Sequence, residues 1–450
     1  MRVKLKNKRV LVMGLGLFGG GVGAVRFLVR EGADVTVTDL RSEEELDTSV
    51  RALDGLPVAF KLGGHDEDDF QSSDLIVANP AVPRSSQFLK TAESAGVPIT
   101  SEICLFVERC PAPVIGVTGS SGKTTTTSLL GEMLKRMDRR TVVGGNIGRS
   151  LLEDLDTLAD DTPVLLELSS FQLDRLGDML WSPHVGVVTN FAPNHLDIHG
   201  SLEAYREAKK QILKHQSEGD WAVVNGEDAE VVDWGGAGRR VKFTTEGVGE
   251  VFVRDGEIRH AIGRSEQVVC GVSDLKLPGR HNLANALAAT GAAIASGVSE
   301  EDVAAVLQSF EGVPHRLERV AEVNGVVYIN DSIATSPDRT LVALKAFDRP
   351  IILIAGGYDK GIAFDDLGLA IGVRVAHLIL LGQTGDAIAT AVNGETVIHR
   401  AGDLEGAVTR ATTLARAGDV VLLSPASASY DQFRNFEERG EQFRKLVENL

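Results

Sequence analysis

The chain opens with the pattern of a buried strand feeding a glycine turn. Val10–Met13 is a short apolar run, Gly14–Gly19 is the turn, and residues 22–31 carry apolar positions at helical spacing. Val35–Asp39 then predicts a second strand ending in an acid, which completes a βαβ unit. Leu75–Ala78 predicts a later strand, closed by Asn79-Pro80, and Pro111-Ala-Pro113 reads as a linker because proline opposes both helix and ladder. A second α/β unit starts at the strand Val114–Val117. The helix that begins at Lys123 places Leu129, Leu130, Met133, Leu134 and Met137 on one face. Val164–Glu167 and Val185–Val188 predict buried strands, 202–214 a helix, 239–275 short strand-like pieces, and Leu283–Ser296 an alanine-rich packed helix. A third unit begins near Gly312. Its apolar runs Val326–Ile329, Ile351–Ala355, Leu378–Leu381 and Val420–Leu423 predict another parallel α/β sheet.

Length and composition agree with this division. At about 100–200 residues per domain, 450 residues imply several domains, most simply three. A net charge of -17 argues against generic binding to nucleic acid or an anionic membrane, so anionic ligands need local basic groups. No apolar run approaches a membrane span, and the basic start Met1–Val10 leads into a strand and turn rather than a leader, which predicts a cytoplasmic protein. Cys104, Cys110 and Cys270 lack metal or redox spacing and read as incidental thiols.

Two glycine turns carry candidate chemistry. Gly14-Leu15-Gly16-Leu17-Phe18-Gly19 lies between strand and helix, with Asp39 twenty residues on. The residues alone leave three readings open: a dinucleotide, another diphosphate, or turn glycines with no ligand. Thr118-Gly119-Ser120-Ser121-Gly122-Lys123-Thr124 gives the stronger signal, a phosphate-cradling loop. Its amides can wrap phosphate oxygens, Lys123 can offset their charge, and the Thr124 hydroxyl can coordinate Mg²⁺. It departs from the strict pattern in having Val117 five residues before Gly122. Glu167 ends a strand and can hold the metal; His195 and Lys209 are candidates beside a triphosphate. His281, Asn282 and Asn285, and later Arg316, Asp331, Lys360 and Ser429, stand at helix starts or strand ends, where α/β sheets place ligands.

Together these residues resemble the Mur ligase family, over essentially the whole chain. Leu168-Ser-Ser-Phe-Gln-Leu173, Asp431-Gln-Phe-x-Asn-Phe436 and Arg439-Gly440 resemble the glutamate-adding branch; an Asp-Asn-Pro-Arg motif of the diaminopimelate- or lysine-adding members is missing. The resemblance implies a three-domain α/β enzyme: a Rossmann-like UDP-sugar domain over 1–104, a central P-loop ATP domain over 105–312 and a Rossmann-like amino-acid domain over 313–450. It implies ATP-dependent joining of D-glutamate to UDP-N-acetylmuramoyl-L-alanine through an acyl phosphate, in a monomer that neither enters membranes nor binds nucleic acid. Gly14, Leu15, Gly16, Leu17, Phe18, Gly19, Asp39, Arg41, Asn79 and Asn146 are then expected at the UDP-sugar, not at NAD. Gly119, Ser120, Ser121, Gly122, Lys123, Thr124, Thr125, Asn282, Asn285, Arg316 and Asp331 are expected at ATP. Lys360, Ser429 and Phe436 are expected at the amino acid. Thr124, Glu167, His195 and a carbamylated Lys209 are expected to hold two Mg²⁺ ions, with Lys123, His195 and Lys209 catalytic. Three departures stand out: Ile333 where many members have lysine, Phe18 in place of a common threonine, and Ser427 in place of a frequent cysteine.

Overall fold

The computed structural model describes residues 4–16, 19–194, 196–263, 265–277, 279–359 and 361–450. The chain forms two compact units, Met1–Glu311 and Gly312–Leu450. Among the described residues no helix is long and apolar enough to cross a membrane.

The first unit holds two sheets. The smaller has five parallel strands in the order Val58–Leu62, Asp34–Asp39, Arg9–Met13, Leu75–Ala78, Ile99–Thr100. Its central strand is apolar on both faces, as helices on both sides of a parallel sheet require. The helix after the glycine turn spans Gly20–Arg30, two residues earlier than the apolar spacing placed it. The larger sheet has nine strands. Val142–Gly145, Val164–Glu167, Val114–Thr118, Val185–Val188, Trp221–Asn225, Arg239–Thr244 and Val251–Arg254 run parallel in that spatial order. Glu257–His260 and Gln267–Gly271 then close the edge antiparallel. Helices Lys123–Leu134 and Arg280–Ala295 share one core with this sheet, Leu129, Leu130 and Met133 meeting the alanine face of residues 286–293. The first of these helices stops at Leu134, so Met137 lies beyond its end, yet it packs against the same core.

The second unit is a six-stranded sheet in the order Glu318–Val323, Val326–Asn330, Val420–Leu423, Ile351–Ala355, Val375–Leu380, Val397–Arg400. The four runs expected to form a parallel sheet do pair parallel, and the edge adds a strand that the apolar runs did not mark. Glu318–Val323 pairs antiparallel with Val326–Asn330. The cause is local: Asn324 and Gly325 both take left-handed conformations, φ 53° and 80°, the two-residue turn whose twist suits a hairpin. Buried Leu353, Leu378, Leu380 and Leu422 face a helix layer, each fully buried side chain contributing about 1.5–3 kcal/mol.

Gly325 also approaches Ala417 closely: a Cβ built on it would lie 3.0 Å from the Ala417 Cβ. Gly325→Ala is expected to destabilise the second unit by about 1–2 kcal/mol in urea unfolding. Asn324→Gly, which keeps the turn, is expected to change it by less than about 0.5 kcal/mol.

Candidate functional site

The phosphate-loop candidate sits at the C-terminal end of the central strands of the nine-stranded sheet. Strand Val114–Thr118 runs into it and helix Lys123–Leu134 leaves it. Gly122 is the helix N-cap with φ 79°, and a Cβ there would lie 2.2 Å from Asn285 Oδ1. Glycine is therefore required twice over, by conformation and by the buried Asn285 amide packed on it. The loop is held from the neighbouring strand end. Asn190 Oδ1 accepts from the Ser121 amide at 2.9 Å, the Asn190 carbonyl accepts from the Ser120 amide at 3.0 Å, and Thr189 Oγ1 donates to the Ser121 carbonyl at 2.6 Å. Lys123 Nζ donates to the carbonyls of Gly119 at 2.9 Å and Ser120 at 3.4 Å, which keeps its charge over the loop. Thr124 and Thr125 are half-buried in the first helical turn.

Lys209 enters from helix Leu202–Lys214, whose buried face carries Tyr205, Ala208, Lys209 and Ile212. The side chain is only 1% exposed, and Nζ donates to the Gly119 carbonyl at 2.8 Å and to Thr118 Oγ1 at 3.3 Å. Burial, then the nearby Lys123 charge, holds this amine well below the usual lysine value; Glu167 acts in the opposite direction. Glu167 ends the strand paired with Val114–Thr118, in register with Val117. Its Oε1 accepts from Asn146 Nδ2 at 3.0 Å. Its other oxygen, Oε2, is buried and has no hydrogen-bond partner among the described residues. A buried carboxylate oxygen left without a donor fits a cation. No three His, Cys, Asp or Glu side chains converge among the described residues, so a divalent ion at Glu167 must draw further ligands from hydroxyls, phosphate, water or a modified lysine. His195 lies outside the described residues.

The first glycine turn is shaped by Asp39. The carboxylate accepts from the amides of Leu15 at 2.9 Å and Gly16 at 3.3 Å through one oxygen, and from the Arg41 amide at 3.0 Å through the other. Asn79 Nδ2 donates to the Gly14 carbonyl at 3.2 Å, and a Cβ on Gly14 would meet the Asn79 Cβ at 2.9 Å. The structure thus joins Asp39, Asn79 and the turn, leaves the Arg41 side chain exposed, and hydrogen-bonds Asn146 to Glu167. Gly19 caps the following helix. Leu17 and Phe18 lie outside the described residues.

Asn282 lines a small apolar pocket with Leu129, Leu275, Ala286, Leu307 and Phe310, one helical turn from Asn285. In the second unit, buried Asp331 accepts from Ser424 Oγ at 2.8 Å and from the Leu317 amide at 3.1 Å. Burial pushes its carboxyl up to about 6, against those two hydrogen bonds and the Arg316 and Arg339 charges. Arg316 is exposed between two left-handed residues, His315 and Leu317. Ser429 is buried, and Phe436 begins helix Phe436–Glu448 and meets the His315 ring edge-on at 6.3 Å. Lys360 lies outside the described residues.

Comparison with known proteins decides the family. Residues 8–101 match the MurD-like N-terminal domain of Mur ligases, 117–293 the Mur ligase middle domain, and 315–427 the Mur ligase glutamate ligase domain. The chain is 44% identical to UDP-N-acetylmuramoylalanine–D-glutamate ligase of Roseiflexus sp. (strain RS-1), over 100% of both chains. It is 42% identical to the protein of the same name from Symbiobacterium thermophilum, over 100% of this chain and 99% of the other. The chain belongs to the Mur ligase family. Among solved structures the fold is shared with UDP-N-acetylmuramate–alanine ligase of Thermotoga maritima, at TM-score 0.56 and 22% identity over 98% of this chain and 100% of that one. It is also shared with MurF ligase of Thermotoga maritima in complex with ADP, at TM-score 0.52 and 21% identity over 100% of both chains.

Several residues that hold these loops in place within each unit were not singled out from the sequence. Thr189 and Asn190 hold the phosphate loop; their signal was a Thr-Asn pair at the end of a buried strand. Arg439, noted only within a motif, is 1% exposed, and burial pushes its guanidinium down to about 9. It donates to the Ser332 carbonyl and hydroxyl and to the carbonyls of Ser427 and Ala428, at 2.9 to 3.2 Å. Cys104 and Cys270 are buried and unpaired, their thiols pushed up to about 11 by burial.

Two outcomes follow. Gly122→Ala is expected to abolish binding of a fluorescent ATP analogue, because the new Cβ displaces Asn285 and opposes the N-cap conformation. Asp331 is protonated more readily folded than unfolded, so its contribution to stability is present below about pH 4 and lost as pH rises through about 6. The melting temperature of Asp331→Asn relative to the unchanged protein is therefore expected to climb between pH 4 and 7.

Proposed function

We propose that this chain joins D-glutamate to UDP-N-acetylmuramoyl-L-alanine with ATP, giving ADP and phosphate, in peptidoglycan precursor synthesis. The observation that carries the reading is the full-length 44% identity to a ligase of that name, together with a phosphate loop set beside buried Lys209 and half-satisfied Glu167. We keep the division 1–104, 105–312 and 313–450 as part of this proposal.

The chemistry accounts for the parts. A carboxylate acylates poorly, so its oxygen first attacks the γ-phosphorus; an O–P bond forms and ADP leaves. The glutamate nitrogen then attacks the acyl carbon, a C–N bond forms, phosphate leaves with its oxygen, and the amine gives up a proton. Triphosphate, carboxylate and glutamate meet as anions in a chain of net charge -17, so local positive charge must offset their repulsion. Lys123 supplies it at the loop, helped by the loop amides other than those of Ser120 and Ser121, which Asn190 holds. Thr124, Glu167, His195 and a carbamylated Lys209 would hold Mg²⁺, which when bound offsets negative charge on the phosphates. The low-lying Lys209 amine supports this role, because only a neutral amine adds to CO₂, releasing a proton and turning a cation into an anion. The turn at residues 14–19, with Asp39, Arg41, Asn79 and Asn146, would take the UDP-sugar. Asn282, Asn285, Arg316 and Asp331 would take ATP, and Lys360, Ser429 and Phe436 the incoming glutamate.

The test is phosphate release from MgATP and UDP-N-acetylmuramoyl-L-alanine, run separately with D-glutamate, L-glutamate, L-lysine and no amino acid. Release that depends on D-glutamate is expected; release with another amino acid would move the specificity, and silence from folded protein would sink the reading. For Lys209, equilibration with ¹³CO₂ is expected to give a carbamate carbon signal that Lys209→Arg removes.

A further inference from the structure

The two sheets of the first unit carry the two ends of the proposed reaction, the turn at residues 14–19 on one and the phosphate loop on the other. Arg84 bonds one to the other. It lies on the segment that leaves strand Leu75–Ala78, and that segment is fastened to the glycine turn. The Asn79 amide donates to the Met13 carbonyl at 2.9 Å, and Asn79 Oδ1 accepts from the Ala81 amide at 3.0 Å. Val82 Cγ2 stands 3.7 Å from where a Cβ on Gly14 would lie. Two residues further on, the Arg84 guanidinium reaches helix Ser170–Gly177 and its C-cap, Asp178. Nε donates to the Asp174 carboxylate, and Nη2 donates to the Asp174 carbonyl at 2.6 Å and to Asp178 Oδ2 at 2.8 Å. Three acceptors on one planar fork fix orientation as well as separation.

The other end of that helix is fixed to the phosphate-loop strand. Leu168, next to Glu167, donates its amide to the Val117 carbonyl at 2.8 Å, and its carbonyl accepts from Thr118 Oγ1 at 2.7 Å. Ser169 then caps the helix in a capping box with Gln172. A second guanidinium lies beside the Arg84 bonds. Arg175 is buried, and its Nη2 has no hydrogen-bond partner among the described residues. Burial lowers its guanidinium from the ordinary arginine value, the Arg84 charge adds to this, and Asp174 and Asp178 act against it. Arg84 thus holds two carboxylates that a buried neighbour could take up. Arg30 also links the two layers, to the Leu152 carbonyl at 3.1 Å and to Asp156 at 3.2 Å, but from the end of helix Gly20–Arg30 away from the turn.

We propose that Arg84 is a positioning residue for phosphoryl transfer, holding the sugar-nucleotide turn in register with the phosphate loop so that the substrate carboxylate meets the γ-phosphorus. It acts through Asn79 on one side and helix Ser170–Gly177 on the other. The inference rests on the ligase reading above, in which the turn takes the UDP-sugar, and adds to it a residue outside every motif of the sequence. Reacting groups misplaced by about 1 Å lose on the order of 100-fold in rate, so loosening one tie between the two sites is a matter of rate before it is one of stability.

The experiment compares the unchanged enzyme with Arg84→Ala, Arg84→Lys, Asp174→Ala, the double variant Arg84→Ala, Asp174→Ala, and Arg30→Ala. It measures kcat, KM for UDP-N-acetylmuramoyl-L-alanine and for ATP, and melting temperature. Arg84→Ala is expected to lower kcat about tenfold and to leave both KM values within about twofold, because the groups around each substrate stay together. Its melting temperature should move by less than about 2 °C, since an exposed ion pair adds little and Arg175 can take up the carboxylates. Arg84→Lys keeps the charge without the fork and should recover part of the rate. Asp174→Ala should lower kcat too, and the double variant no further than the larger single loss. Arg30→Ala should leave kcat unchanged. An unchanged kcat in Arg84→Ala, a loss taken up in KM, additive losses in the double variant, an equal loss in Arg30→Ala, or a loss that follows a fallen melting temperature would each overturn the proposal. Silence of the unchanged enzyme would overturn the ligase reading instead, and this inference with it.

Discussion

The bond on which the rest of the nucleotide-loop site depends is the one from the Lys209 amine to the Gly119 carbonyl, 2.8 Å long and shut away from water. It pins the point where the central strand becomes the phosphate loop. It also removes the amine from solvent, which favours the neutral, reactive form of a group that would otherwise be a plain cation. Thr118, Gly119, Lys123 and Glu167 are all arranged within reach of its hydrogen bonds or its charge. A lysine buried with no carboxylate bonded to it among the described residues costs stability, and groups perturbed in this way cluster at functional sites.

The second unit solves a related problem, again with a buried cationic side chain. Arg439 is buried without a carboxylate bonded to it among the described residues, and carbonyl and hydroxyl oxygens accept its hydrogen bonds. Those oxygens belong to Ser332 and to residues 427–428, so one guanidinium ties together the two segments that flank Asp331 and Ser429. Asp331 in turn fixes Leu317 and Ser424. The polar turn is thereby set on buried ties, while Arg316 and Arg339 remain at the surface.

The long apolar runs were legible in the sequence because strands covered on both faces have no polar positions to confuse them. Val114–Thr118, Val164–Glu167, Ile351–Ala355 and Val420–Leu423 are of that kind. Edge strands were not: Val58–Leu62 and Val397–Arg400 are largely exposed and mix lysine, arginine and histidine with apolar residues. The antiparallel edge of the second unit was signalled by Asn324-Gly325, but a scan for apolar runs passes over Glu318–Val323, which alternates with charge. At the site, the loop sequence gave away its own chemistry. The burial of Lys209 could be read only from its spacing with Tyr205, Ala208 and Ile212, and the Thr189 and Asn190 contacts depend on two strands lying side by side, which spacing along the chain does not encode.

The central claim is that the alanyl carboxylate is activated by phosphorylation before the amine attacks. Its most direct test uses UDP-N-acetylmuramoyl-L-alanine with ¹⁸O in the alanyl carboxylate, MgATP and D-glutamate, with mass analysis of the released phosphate. One carboxylate oxygen is expected in each phosphate, because the acyl–oxygen bond breaks when the amide forms. Amide formation with unlabelled phosphate would contradict the account.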